Sequence, residues 1–144
     1  MTMKLLRYTF LLGSLFAFVA VSGYAQTAQV KKEPIQTTSA ASGSEMFNSY
    51  CAACHGKDAK GNGPAAASLK VPPANLTELA KKNNGKFPAD HVSNILRSGV
   101  SGAHGSVDMP IWGPLFSQVS GHDDTIVQMR IVNLVHYLES LQVK

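Results

Sequence analysis

The densest chemistry in this sequence lies in five residues, Cys51-Ala52-Ala53-Cys54-His55. They hold the only two cysteines among 144 residues. Thiols three apart on a helix stand about one turn from each other, so both can reach neighbouring groups on one edge of a flat ligand. A histidine directly after the second thiol is carried under the same ligand, where its imidazole can bind a metal. C-x-x-C-H in this order is the pattern for covalent attachment of haem c. The thiols form thioethers with the two vinyl groups of one porphyrin, and His55 gives a ring nitrogen to iron. Ala52 and Ala53 are small enough to let the backbone lie against the macrocycle.

Other uses of a cysteine pair fit less well. A thioredoxin-type C-x-x-C opens a helix that follows a strand, whereas here a helical pattern precedes the pair. A structural zinc site draws four Cys or His ligands, and there is no second Cys pair. A disulfide across three residues has poor geometry and closes too small a loop to stabilise much.

The elements that must carry the motif are helical. Ser42 and Glu45 have the spacing of a capping box ahead of an apolar pattern. Met46, Phe47, Tyr50, Cys51 and Cys54 then recur on one side, so a first helix runs straight into the cysteines. Residues 56–73 form a loop rich in Gly and Pro. Asn75 and Glu78 can cap a short helix over residues 76–84. Pro88 opens another, which Gly99 stops. A loop rich in Gly and Ser spans residues 99–108. A last helix starts at Asp123-Asp124 and buries Val127, Ile131, Leu134, Val135, Leu138 and Leu141. No segment alternates like a strand, so the expected class is all-α. Loops this long in so short a chain need something to pack against, and a cofactor supplies it.

The N-terminus has the layout of a secretory signal: Lys4 and Arg7, an uncharged apolar run over residues 9–21, and small residues leading to a cut after Ala25. That run is short for a membrane span. The expected division is therefore a signal peptide at 1–25, a flexible leader at 26–42 and one domain at 43–144. The domain is exported, periplasmic in a bacterium, and would be membrane-anchored if the signal stayed uncleaved. The whole chain has 13 basic and 9 acidic residues. Without Lys4 and Arg7 the balance falls to about +2, and haem propionates would bring it close to neutral. No dense basic stripe marks a nucleic-acid surface.

Iron that only shuttles electrons has both axial positions filled. Beyond the cut the methionines are Met46, Met109 and Met129. Met46 and Met129 fall in helical apolar stripes and read as core. Met109 sits in a loop, where Pro110 stiffens its backbone, and is assigned as the second ligand. His104 is its rival in the same loop. His91, His122 and His136 read as surface or structural residues.

The stretch GKDAKGNGP after His55, the Pro-Pro-Ala-Asn-Leu segment at 72–76, Met109-Pro110-Ile111-Trp112-Gly113 and the terminal helix with Tyr137-Leu138 together resemble a class I cytochrome c. The resemblance covers residues 43–143. It implies a cytochrome c-like fold of three to five helices around one covalent haem, and it places the distal methionine at Met109. It also implies that the carbonyl of Pro64 accepts a hydrogen bond from His55. Trp112 has two readings, an indole donor to a haem propionate or a core aromatic.

The function this implies is single-electron transfer between respiratory redox proteins, a membrane respiratory complex among the candidate partners. A free carrier and an electron-delivering subunit of a dehydrogenase or terminal oxidase are not separated by sequence. A haem enzyme or gas sensor would need an open sixth position, which Met109 argues against. No nucleophile elbow, phosphate loop or second haem motif accompanies the site, so the chain is not read as an enzyme.

Overall fold

The computed structural model describes residues 35–99 and 108–143, all within the unit Pro34–Lys144. The expected signal segment, most of the leader, and His104 lie outside the described residues. Helix α1 (Gly43–Met46), a π-helical turn (Phe47–Cys51) and α2 (Ala52–His55) follow one another in unbroken right-handed backbone. After 3-10 turns at Ala66–Ser68 and Leu76–Glu78 come α3 (Leu79–Lys82), α4 (Ala89–Ser98), α5 (Trp112–Val119) and α6 (Asp124–Ser140). With α1 and α2 taken as one rod, the described residues hold five α-helices and no strand. That is the expected all-α architecture.

The ends form for local reasons. Ser42 Oγ accepts from the Glu45 N–H at 3.2 Å, one arm of the capping box. The Ser42 N–H turns to the Ser39 carbonyl instead of to Glu45. Asp123 caps α6 through the Thr125 and Ile126 N–H groups. At Gly99 a φ of 79° ends α4. Helix α5 has no counterpart among the helices expected from sequence, because Gly113 and Pro114 look like loop. Pro114 lies in its first turn, where a missing N–H breaks no intrahelical bond.

The core forms where α1 crosses α6. A Cβ at Gly43 would lie 2.7 Å from Tyr137 Cβ and would press on the Asn133 carbonyl, so only glycine admits this approach. Beside it the Phe47 and Tyr137 rings meet with centroids 5.5 Å apart. Met46, Phe47, Ile131 and Leu134 are fully buried there. Val92 and Leu96 of α4, Phe116 of α5 and Val127 of α6 extend the same core. At the surface, Arg97 of α4 hydrogen-bonds Gln128 of α6. Met129, expected in the apolar stripe, is 41% exposed instead. The buried face of α6 takes Arg130, one residue further on.

That guanidinium, 3% exposed, ties down the chain ahead of α1. It donates to the Thr38 carbonyl at 2.9 Å, to Thr38 Oγ1 at 3.1 Å and to Ser120 Oγ at 3.0 Å. Asn133 holds the Ala40 carbonyl at 2.9 Å, and Tyr50 OH donates to the Gln36 carbonyl. The last part of the segment expected as leader is thus bonded to the helices, and packing starts before the expected Ser42 boundary.

Candidate functional site

Between α1 and the cysteines the helix widens. The Ala52 N–H reaches back five residues to the Phe47 carbonyl, the bond of a π turn. One extra residue rotates the succeeding turn by about 100° relative to α1. Met46 and Phe47 therefore face α6, while Tyr50, Cys51 and Cys54 come to a half-buried surface. Both thiols are free.

The C-terminal carbonyls of α2 are all taken by the loop after it. Ala52 accepts from Gly56 at 2.9 Å, Ala53 from Ala65 at 2.9 Å, Cys54 from Gly63 at 3.0 Å and His55 from Gly61 at 2.7 Å. A helix end leaves four carbonyls without intrahelical partners. Here the glycine-rich stretch wraps back and satisfies them, which clamps the motif in place. Gly63 needs its missing side chain for this: a Cβ there would lie 2.6 Å from the Ala52 carbonyl and closer still to that of Ala53. The Leu76 N–H bonds the Ala59 carbonyl at 2.8 Å and brings the 72–76 segment onto the same loop.

His55 Nδ1 lies 3.0 Å from the Ala74 carbonyl. A carbonyl only accepts, so Nδ1 carries the proton and the Nε2 lone pair is left for a metal. The acceptor is Ala74, not Pro64 as the resemblance implied. Pro64 is exposed and lines a surface cleft with Ala52, Ala53 and Gly63. Its neighbours Gly63 and Ala65 are bonded to α2, whereas the 72–76 segment crosses in front of the imidazole. No sequence signal separates one backbone carbonyl from another. Burial lowers the His55 pKa, against the opposing pull of the Ala74 bond, and favours a neutral, coordinating ring. Burial, with Cys54 adjacent, pushes the Cys51 thiol up to about 12. A dithiol oxidoreductase needs its thiol shifted the other way.

Met109 is half-buried and packs against the core that also carries Cys51 and Tyr50. The residues that follow it, Ile111 to Gly113, pack onto the end of α4. A Cβ on Gly99 would sit 2.9 Å from Ile111 Cγ1, and one on Gly113 would press on the Arg97 carbonyl. Trp112, 7% exposed, stands in an aromatic group with Tyr50 and Phe116, at centroid distances of 5.4 and 5.5 Å. This is the surrounding of a core aromatic, directly beside the turn that carries Cys51.

The donor set fits haem c: two free thiols one turn apart, a neutral imidazole with Nε2 unbonded among the described residues, and small residues between the thiols. Among the described residues no group of three or more His, Cys, Asp or Glu gathers into a cluster such as a structural zinc site draws on. Comparison with curated proteins and with solved structures returned no match. Residues 38–138 match the family model described as cytochrome c oxidase, cbb3-type, subunit III. The match starts at Thr38, the residue that Arg130 holds. Spanning most of the chain, it shows that this protein belongs to that family and carries a c-type cytochrome domain, which binds haem and transfers electrons.

Proposed function

We propose that this protein is an exported monohaem cytochrome that passes single electrons between respiratory redox partners. Haem c is joined to Cys51 and Cys54, and the iron is held between His55 and Met109. The observation that carries this reading is the His55 Nδ1 bond to Ala74, which aims Nε2 away from its backbone anchor beside two free thiols. When bound, haem supplies a one-electron iron couple. Cys51 and Cys54 would hold the haem through two thioether links, one to each vinyl-derived carbon. His55 keeps its Nδ1 proton on the Ala74 carbonyl and donates from Nε2. Met109 would be the second protein ligand to the iron, and its thioether would then keep oxygen and peroxide off the metal.

The family description favours electron delivery to or within a terminal oxidase over a carrier serving unrelated partners. No helix among the described residues is long and apolar enough to cross a membrane. Export through the 1–25 signal completes the reading, since c-type haem is attached on the far side of the membrane.

Absorption spectra of the purified protein, oxidised and reduced, test this. A low-spin reduced spectrum of c type with a weak sulfur-to-iron band in the oxidised near-infrared is expected. A high-spin spectrum that shifts on adding carbon monoxide or cyanide would point to an open sixth position and a ligand-binding role.

A further inference from the structure

The Ala74 carbonyl that orients His55 is placed from the far end of the chain. Two residues after Ala74, Leu76 is held on both sides. Its N–H donates to the Ala59 carbonyl, and its carbonyl accepts from Nε2 of Gln142 at 2.8 Å. The same Nε2 donates to the Leu138 carbonyl at 2.7 Å, near the end of α6. Gln142 Oε1 accepts from the Ala80 N–H at 2.9 Å. One residue on, the Val143 N–H donates to the Thr77 carbonyl at 2.9 Å. A single amide side chain, half-buried, thus locks residues 76–80 to the end of α6. The Leu138 carbonyl, which also accepts from the Leu141 N–H at 3.3 Å, thereby gains a second donor at the helix end.

We infer that Gln142 is a positioning residue for the iron ligand. By fixing Leu76 and Ala80 it holds the Ala74 carbonyl on His55 Nδ1, and so sets how strongly the imidazole donates to the metal. This rests on the reading of His55 as ligand. A firm Nδ1–H···O=C bond raises the basicity of the ring and favours the oxidised ion. Release of the 74–80 segment weakens that bond and moves the reduction potential upward. A clamp that only stabilised the C-terminus would lower the melting temperature and leave the imidazole alone.

The test uses the haem-loaded protein with Gln142→Met, which keeps length without the amide, and Gln142→Glu, which keeps the acceptor for the Ala80 N–H and loses the donor. Gln142→Glu carries the test if Gln142→Met does not fold. Asn133→Ala is the control; it removes a side-chain bond to Ala40 and touches nothing in residues 74–80. Exchange of the His55 Nδ1 proton is followed by NMR of the ferrous protein with labelled histidine, and potential and melting temperature are measured alongside. Both Gln142 variants should exchange that proton about tenfold faster or more, as expected when local opening becomes easier, with a raised potential. Asn133→Ala should change the melting temperature alone. Exchange and potential equal to wild type in the folded Gln142 variants would overturn the inference. A wild-type protein whose His55 ring signals lack the haem shift would overturn the ligand reading itself, and the clamp with it.

Discussion

His55 and Met109 are positioned by different means. On the His55 side the work is done by main chain: four α2 carbonyls, the Ala74 carbonyl and the N–H groups of a glycine-rich loop. On the Met109 side it is done by side chains: Met109 against the core, Ile111 over Gly99, and Trp112 among Tyr50 and Phe116. A main-chain scaffold tolerates side-chain change unless a new Cβ or a lost N–H strikes it. A packed scaffold responds to volume. Under the proposed ligation, the first would suit a ligand that must never leave, and the second one whose removal still leaves the cofactor attached.

The largest effects should follow from the motif itself. Cys51→Ala or Cys54→Ala should cut covalent haem sharply, and the double variant should abolish it, as read by haem signal retained on a denaturing gel. Next comes the distal side. Met109→Ala should keep covalent haem, lose the near-infrared sulfur band and gain cyanide binding. His104→Ala should leave that band in place. The reverse pattern would pass the sixth position to His104 and erase the contrast between the two sides of the iron.

Gly63→Ala sharpens the comparison from the His55 side. One methyl directed at two α2 carbonyls should cost about 1–3 kcal/mol, the usual range for overpacking, measured by denaturant unfolding of the haem-loaded protein. A neutral result would mean that the loop yields and the clamp is looser than its bonds imply. The smallest effect concerns docking. Lys57, Lys60, Lys70, Lys81, Lys82 and Lys86 are all exposed, but Lys82 pairs with Glu78 at 3.5 Å and Lys60 with Asp58 at 4.0 Å. Reversing Lys81 and Lys82 to Glu should slow electron transfer to an acidic partner severalfold at low salt, with the difference fading as salt rises and the screening length falls to about 8–10 Å. The haem spectrum should stay unchanged.

The arrangement of Cys51, Cys54 and His55 within one helical turn was legible in sequence because its information is local: residue type and spacing suffice. The buried stripe of α6 and the caps at Ser42 and Asp123 were legible for the same reason. The Ala74 acceptor was not, since which carbonyl meets an imidazole depends on how two loops cross. Nothing in the sequence marks Arg130 as buried, because its partner Thr38 lies 92 residues away in a stretch with no periodicity. Helix α5 was hidden by Gly113 and Pro114, which signal a turn unless their place in the first helical turn is known. The π turn left no mark in residue type at all.

The central claim is a covalent bond between haem and this chain, and intact mass under denaturing conditions tests it most directly. The protein should be produced with a functional c-type maturation system and weighed after unfolding in acid. The account predicts one haem mass retained on a chain lacking residues 1–25, with no thiol left to alkylate at Cys51 or Cys54. An unmodified polypeptide with two alkylatable thiols would contradict it.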